Sequence, residues 1–152
     1  MNTNRKPVSK VAYGAMVTLE AYSRRAVPAE VRHLVRLRAS AINGCDYCTA
    51  MHRRDARKDG WDDARIDHVE SWPDHEPEFD ADALAVLRLT DAITRIDGEE
   101  SVPDELWNAV VAHRGDEGTG QLVMEIVTIN AWNRIAIATR RDPASLKGVQ
   151  GR

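Results

Sequence analysis

The chain has 152 residues, 43% of them hydrophobic and 30% charged, with a net charge of −3 at pH 7. Those proportions suit one globular domain over residues 1–152 and exclude a disordered, collagen-like or coiled-coil chain. The slight acidic excess argues against a nucleic-acid partner, and no run approaches the roughly 18 apolar residues of a membrane span.

The pattern predicts helices throughout. Mixed runs of Ala, Leu, Val, Arg and Glu alternate with Pro, Gly or Asp breaks, and no sustained period-two run marks a strand. Met1 to Pro7 has no apolar run of the kind a secretory leader needs, so a cytoplasmic setting is expected. A first helix is predicted over 9–25, with Val11, Ala12, Met16 and Leu19 as apolar positions. Pro28 suits the first turn of a second helix, and Glu30 the favourable pole of its dipole. That helix carries Val31, Leu34, Val35, Ala41 and Ile42 and stops at Asn43-Gly44, where glycine can take the left-handed conformation. A third helix is predicted over 45–58, ahead of Gly60, and a short fourth over 62–70. Residues 72–79, with Pro73 and Pro77, read as a loop. A fifth helix covers 80–96, capped by Asp80 or Asp82, and a sixth opens at Pro103 and ends near Arg114. The last, over 117–139, is apolar around much of its circumference, which predicts a central buried helix or one covered by a second subunit. The polar tail after Arg141 is expected to be loose.

The specific chemistry gathers in Asn43-Gly44-Cys45-Asp46-Tyr47-Cys48-Thr49-Ala50-Met51-His52. Cys45 and Cys48 are the only cysteines, too few and too close for a disulfide-stapled secreted scaffold. With each helical residue turning about 100°, Cys45, Cys48 and His52 share one narrow face, and an i,i+3 pair lies within disulfide reach. The first turn of a helix sets the thiols against unpaired N–H groups and the positive dipole end, which lowers a thiol pKa. His52, one turn on, can take up or return a proton. One sulfur can then attack a peroxide or disulfide while the other resolves the product. If the second and third helices fold back about Gly44, His33 comes level with His52, close enough for a direct or water-mediated contact. Two other readings stay open. Cys45, Cys48, His52 and His33 make a Cys₂His₂ set for a metal, and the cysteines can be a merely buried pair. His68, His75 and His113 read as solvated surface residues, and Trp61, Trp72, Trp107 and Trp132 as core or interface.

The run Arg36-Leu37-Arg38-Ala39-Ser40-Ala41-Ile42-Asn43-Gly44-Cys45-Asp46-Tyr47-Cys48, followed by His52, resembles the core motif of the alkylhydroperoxidase AhpD-like proteins of the carboxymuconolactone decarboxylase superfamily. The stretch Ile129-Asn130-Ala131-Trp132-Asn133-Arg134-Ile135-Ala136 resembles the final helix of its single-domain members. The resemblance implies an all-α fold of six to seven helices with its core motif over 33–52, and a homo-oligomer, a trimer or hexamer. It also implies reduction of a hydroperoxide substrate: Cys48 would be peroxidatic, Cys45 resolving, and His52 part of a proton relay. It implies no tightly bound cofactor, only a redox-active Cys45–Cys48 disulfide and an external dithiol reductant such as a lipoyl group. One departure counts. Where the family usually places a glutamate twelve residues before the first cysteine, this chain has His33. An imidazole is a workable base near neutral pH, but it cannot stabilise a positive His52 as a carboxylate does. Glu30 is the candidate substitute nearest in sequence. The departure motivates an alternative, a non-catalytic redox-sensing or metal-binding protein on the same fold. A lactone decarboxylase ranks below both, since that chemistry has no evident need for paired thiols.

Overall fold

The computed structural model describes Arg5 and residues 8–146. The remainder of the expected leaderless start and of the expected loose tail lies outside the described residues. Within them are six helices: α1 (Lys10–Ala26), α2 (Ala29–Asn43), α3 (Asp46–Lys58), α4 (Asp63–Glu70), α5 (Ala81–Thr94) and α6 (Asp104–Thr139). The fold is all-α, and no helix among the described residues is long and apolar enough to cross a membrane.

Side-chain caps set most of the starts. Ser9, Asp62 and Asp80 accept from Ala12, Arg65 and Ala83 N–H groups and open α1, α4 and α5. The predicted gap between the sixth and seventh helices narrows to Gly115, where φ is 68° and the helical path of α6 is interrupted. The predicted loop over 72–79 is instead a 3₁₀ segment, Trp72–Glu78, because two prolines interrupt α-helical hydrogen bonding but permit short i,i+3 turns.

Helix α2 is the hub. It packs on α3, α4, α5 and α6, and Val31, Leu34, Val35, Leu37 and Ala39 are all buried. Opposite them lie Ile66 and Val69 of α4, Val86, Leu87 and Leu89 of α5, and Leu122, Ile126 and Ile129 of α6. Each of the valine, leucine and isoleucine side chains among these contributes about 1.5–3 kcal/mol on leaving water. The apolar last segment is therefore central, although Val127 and Ile137 stay exposed. Val11 is 86% exposed, although Tyr13 in the same first turn of α1 packs edge-on against Trp132 of α6, and Trp107 is not part of this chain's core.

Candidate functional site

The α2–α3 corner is built by its backbone. Gly44 takes φ 62°, its N–H reaches Ala41 O at 3.2 Å, and Cys45 N–H reaches Ser40 O at 3.0 Å, the paired bonds of a Schellman ending. Cys45 is the N-cap of α3 and lies outside the helix proper, which begins at Asp46, one residue later than the predicted start. Its sulfur accepts the Cys48 N–H at 3.3 Å. Cys45 and Cys48 form a disulfide with Cα atoms 5.3 Å apart. The corner is pinned to α6 by side chains from both motif stretches. Asn43 donates to Asn130 Oδ1 at 3.0 Å and to Asn133 Oδ1 at 2.9 Å, and Asn133 donates to Ser40 Oγ at 3.1 Å. Arg38 anchors the other side of α2 to α5 through a bidentate pair with Asp91.

Cys48 and His52 border a cavity of about 250 Å³ walled by Tyr13, Val17, Trp132 and Ile135 of α1 and α6. Its lining includes Cys48 but not Cys45. His52 also borders a second cavity of about 370 Å³, whose wall is polar and includes Arg32, His33, Arg54 and Asp59. The imidazole thus stands between a space whose surface is mostly apolar, with Glu20 and Arg141 at its wall, and a cationic one, and Arg24 and Arg36 border both. It is 3% exposed, and its Nε2 is buried with no hydrogen-bond partner among the described residues. Burial first, then the charges of Arg36, His33, Arg24 and Arg54, push its pKa well below the histidine range, so the ring is neutral at pH 7.

Under the site runs a charge network with no counterpart in the sequence reading. Arg36 donates to Glu125 Oε1 at 2.5 Å and to Glu20 Oε1 at 2.7 Å, while Ser23 Oγ donates to Glu125. Glu125 is completely buried; burial pushes its carboxyl up and Arg36 only partly offsets this. Burial also opposes the charge of Glu20, but Arg36 and Arg24 prevail and hold it below the usual carboxylate range. Glu20 lines the Cys48 cavity and also accepts from Trp132 Nε1 at 3.2 Å. The one sequence signal for this network was a lone acid, Glu125, inside the apolar run from Leu122 to Ile129.

His33 shares the polar cavity with His52, but no hydrogen bond joins the two rings. Its Nε2 instead lies 2.6 Å from Asp59 Oδ2, and Trp61 packs edge-on against it at 5.2 Å. Glu30 is turned away to Trp61 Nε1 and Arg65. Of the four residues in the Cys₂His₂ reading, the two sulfurs are bonded to each other and His33 Nε2 lies against Asp59. His113 is exposed as expected. His68 and His75 are not simply solvated: they are half-buried, stacked and paired with Glu78.

A buried neutral histidine leaves a signature on stability. The unfolded chain binds a proton at His52 near pH 6.5 and the folded chain does not, so stability falls as pH drops through that value. We expect wild-type protein to lose about 1.4 kcal/mol more than His52→Gln between pH 7.5 and 5.5, or roughly 3–5 °C in melting temperature. Glu125, shifted upward, favours folding in the opposite sense, as pH falls, but it is present in both proteins and cancels in the difference. Parallel melting curves would show that folded His52 takes up protons freely.

The sequence pattern of the carboxymuconolactone decarboxylase family matches residues 11–92, which hold the hairpin, the cysteine pair and His52. The chain belongs to this family. Its AhpD-like character extends beyond the matched segment. It is 38% identical over 132 residues to YdfG, an uncharacterized protein of Bacillus subtilis, covering 86% of this chain and 88% of the relative. A crystal structure from Agrobacterium tumefaciens superposes with a TM-score of 0.82 at 35% identity, over 88% of this chain and 91% of that one. That protein is of unknown function, and an AhpD role in antioxidant defence has been suggested for it.

Proposed function

We propose that the protein is a dithiol-dependent peroxidase acting on organic hydroperoxides. The observation that carries this reading is the Cys45–Cys48 disulfide at the start of α3, with Cys48 and a neutral His52 together lining an apolar cavity. In the reduced protein the Cys48 thiol gives its proton to His52, and the thiolate attacks the outer oxygen of the hydroperoxide. The O–O bond breaks, the alkoxide takes the proton from His52 and leaves as an alcohol, and Cys48 becomes a sulfenic acid. The Cys45 thiol then attacks that sulfur, forming the disulfide and releasing water. A dithiol carrier, of the lipoyl type in a cytoplasmic setting, returns two electrons. Its thiolate attacks Cys48, the sulfur on the cavity wall, and Cys45 leaves as a thiolate that the Cys48 N–H and the helix terminus stabilise; the carrier's second thiol then displaces Cys48, leaving the carrier as a disulfide and the protein with two reduced thiols.

The wall of Tyr13, Val17, Trp132 and Ile135 suits a hydrocarbon tail better than hydrogen peroxide. The missing relay carboxylate is supplied one step further out: Asp59 orients His33, and His33 faces the cavity that His52 borders, where a water can join the two rings. Asp59 is then a positioning residue. We expect Asp59→Asn to slow turnover about 10-fold or more, and Asp59→Glu, which keeps a carboxylate within reach of His33, to recover part of the loss. Equal slowing in both variants would leave Asp59 a merely structural role.

The reading as a whole is tested by intact mass after one equivalent of an organic hydroperoxide is added to reduced protein. Rapid loss of two hydrogens is the expected result. Two free thiols and an unchanged mass would overturn it.

A further inference from the structure

Helix α4 ends close to the 3₁₀ segment Trp72–Glu78, and the chain between them folds back tightly enough to stack His75 on His68, with ring centroids 3.9 Å apart and planes 17° from parallel. Both rings aim the same atom at one carboxylate. His68 Nδ1 lies 2.6 Å from Glu78 Oε2, and His75 Nδ1 lies 3.2 Å from Glu78 Oε1. The geometry points to a binding site for a divalent transition-metal ion of the zinc class, held by His68 Nδ1, His75 Nδ1 and the Glu78 carboxylate.

The three ligand atoms all lie within 4.8 Å of one another. Bonds of about 2.0–2.1 Å set adjacent ligands of a tetrahedral zinc about 3.3 Å apart, so an ion can replace the two ring hydrogens once the stacked rings tilt to turn their in-plane Nδ1 lone pairs onto a common point, a side-chain rotation that needs no refolding of the backbone. Two imidazoles and one carboxylate select zinc, copper or nickel over magnesium or calcium, which take all-oxygen shells. The histidine side chains are each 31% exposed and Glu78 51%, so the ion has a way in and keeps at least one position open to water. Charge around the site favours a cation. His68 and Glu78 form part of the wall of a cavity of about 520 Å³, where the carboxylates of Glu30, Asp62, Asp80 and Asp82 outnumber two guanidiniums. The site stands on α4 and the 3₁₀ segment, apart from the α2–α3 hairpin, and does not depend on the peroxidase reading. A bound ion ties the end of α4 to the segment that leads into α5.

The test uses chelator-treated full-length protein with Cys45 and Cys48 oxidised, so that the thiols cannot compete. Calorimetric titration with Zn²⁺ is expected to give one saturable site per chain, and Zn²⁺ but not Mg²⁺ to raise the melting temperature. The double variant His68→Gln/His75→Gln is expected to lose at least tenfold in affinity and the thermal shift with it. Circular dichroism checks its fold, and Glu78→Gln, with the exposed carboxylate alone changed, is the second variant, expected to weaken binding. Absence of a saturable site in the wild type, or equal Zn²⁺ affinity in a folded variant lacking both histidines, overturns the proposal.

Discussion

Cys48→Ser is expected to lose hydroperoxide reduction by on the order of 10³-fold or more, the scale on which removing a covalent nucleophile acts. A serine hydroxyl at that position cannot ionise near neutral pH, and its oxygen cannot accept a peroxide oxygen as sulfur does. The fold should survive, because the change removes only the disulfide across a corner that Gly44, Asn43 and Ser40 already fix. Cys45→Ser separates the roles. With Cys48 intact and no resolving thiol, one equivalent of hydroperoxide should add a single oxygen and stop at the sulfenic acid. If Cys45→Ser stayed unmodified while Cys48→Ser gained the oxygen, the order of attack would be reversed, and with it the significance of Cys48 on the cavity wall. If both variants turned over as wild type, the peroxidase reading itself would fall.

The hairpin was legible because its determinants are local. Gly44 ends one helix, and the Cys45-x-x-Cys48-x-x-x-His52 spacing places three reactive side chains within two turns. Helix starts were legible to within a residue or two wherever an oxygen-bearing side chain precedes an apolar run, as at Ser9 and Asp80. Facing was harder. Val11 has the composition of a core position, yet periodicity cannot say that it stays in solvent while Tyr13, two residues on, packs against Trp132. The charge chemistry was least legible because it joins distant positions. Arg36 meets Glu20 across 16 residues and Glu125 across 89, and His33 finds Asp59 across 26. Alignment of α2 and α3 placed His33 and His52 on one cavity, but the carboxylate that occupies the outer nitrogen of His33 comes from the far end of α3, where the chain turns at Gly60. The motif arginine and asparagine residues gained their reason only in three dimensions: Arg38 and Asn43 fasten the hairpin to α5 and α6.

Arg36→Met is expected to cost about 3–5 kcal/mol at pH 7, the range seen when one partner of a buried ion pair is removed, and to lower the melting temperature by about 10–15 °C. The methionine replaces much of the aliphatic volume but leaves Glu125, with no exposed surface, only the Ser23 hydroxyl as a partner. Glu20 suffers less, since Arg24 and Trp132 still reach it. The pH dependence identifies the cause. Without Arg36 the folded-state pKa of Glu125 rises further above its unfolded value near 4.3, so the variant's stability is fully present below that pH and is lost as pH rises toward the folded value. The gap to wild type should therefore close on acidification, and Arg36→Met/Glu125→Gln should recover much of the loss at pH 7. A gap independent of pH, with no recovery in the double variant, would assign the cost to lost packing. The same substitution bears on the redox site, because Arg36 is the foremost of the charges that keep His52 neutral. Removing it raises the His52 pKa, so the signature of buried neutral His52 below pH 6.5 should weaken in the Arg36→Met background, which ties the buried pair under α2 to the protonation of the ring beside Cys48.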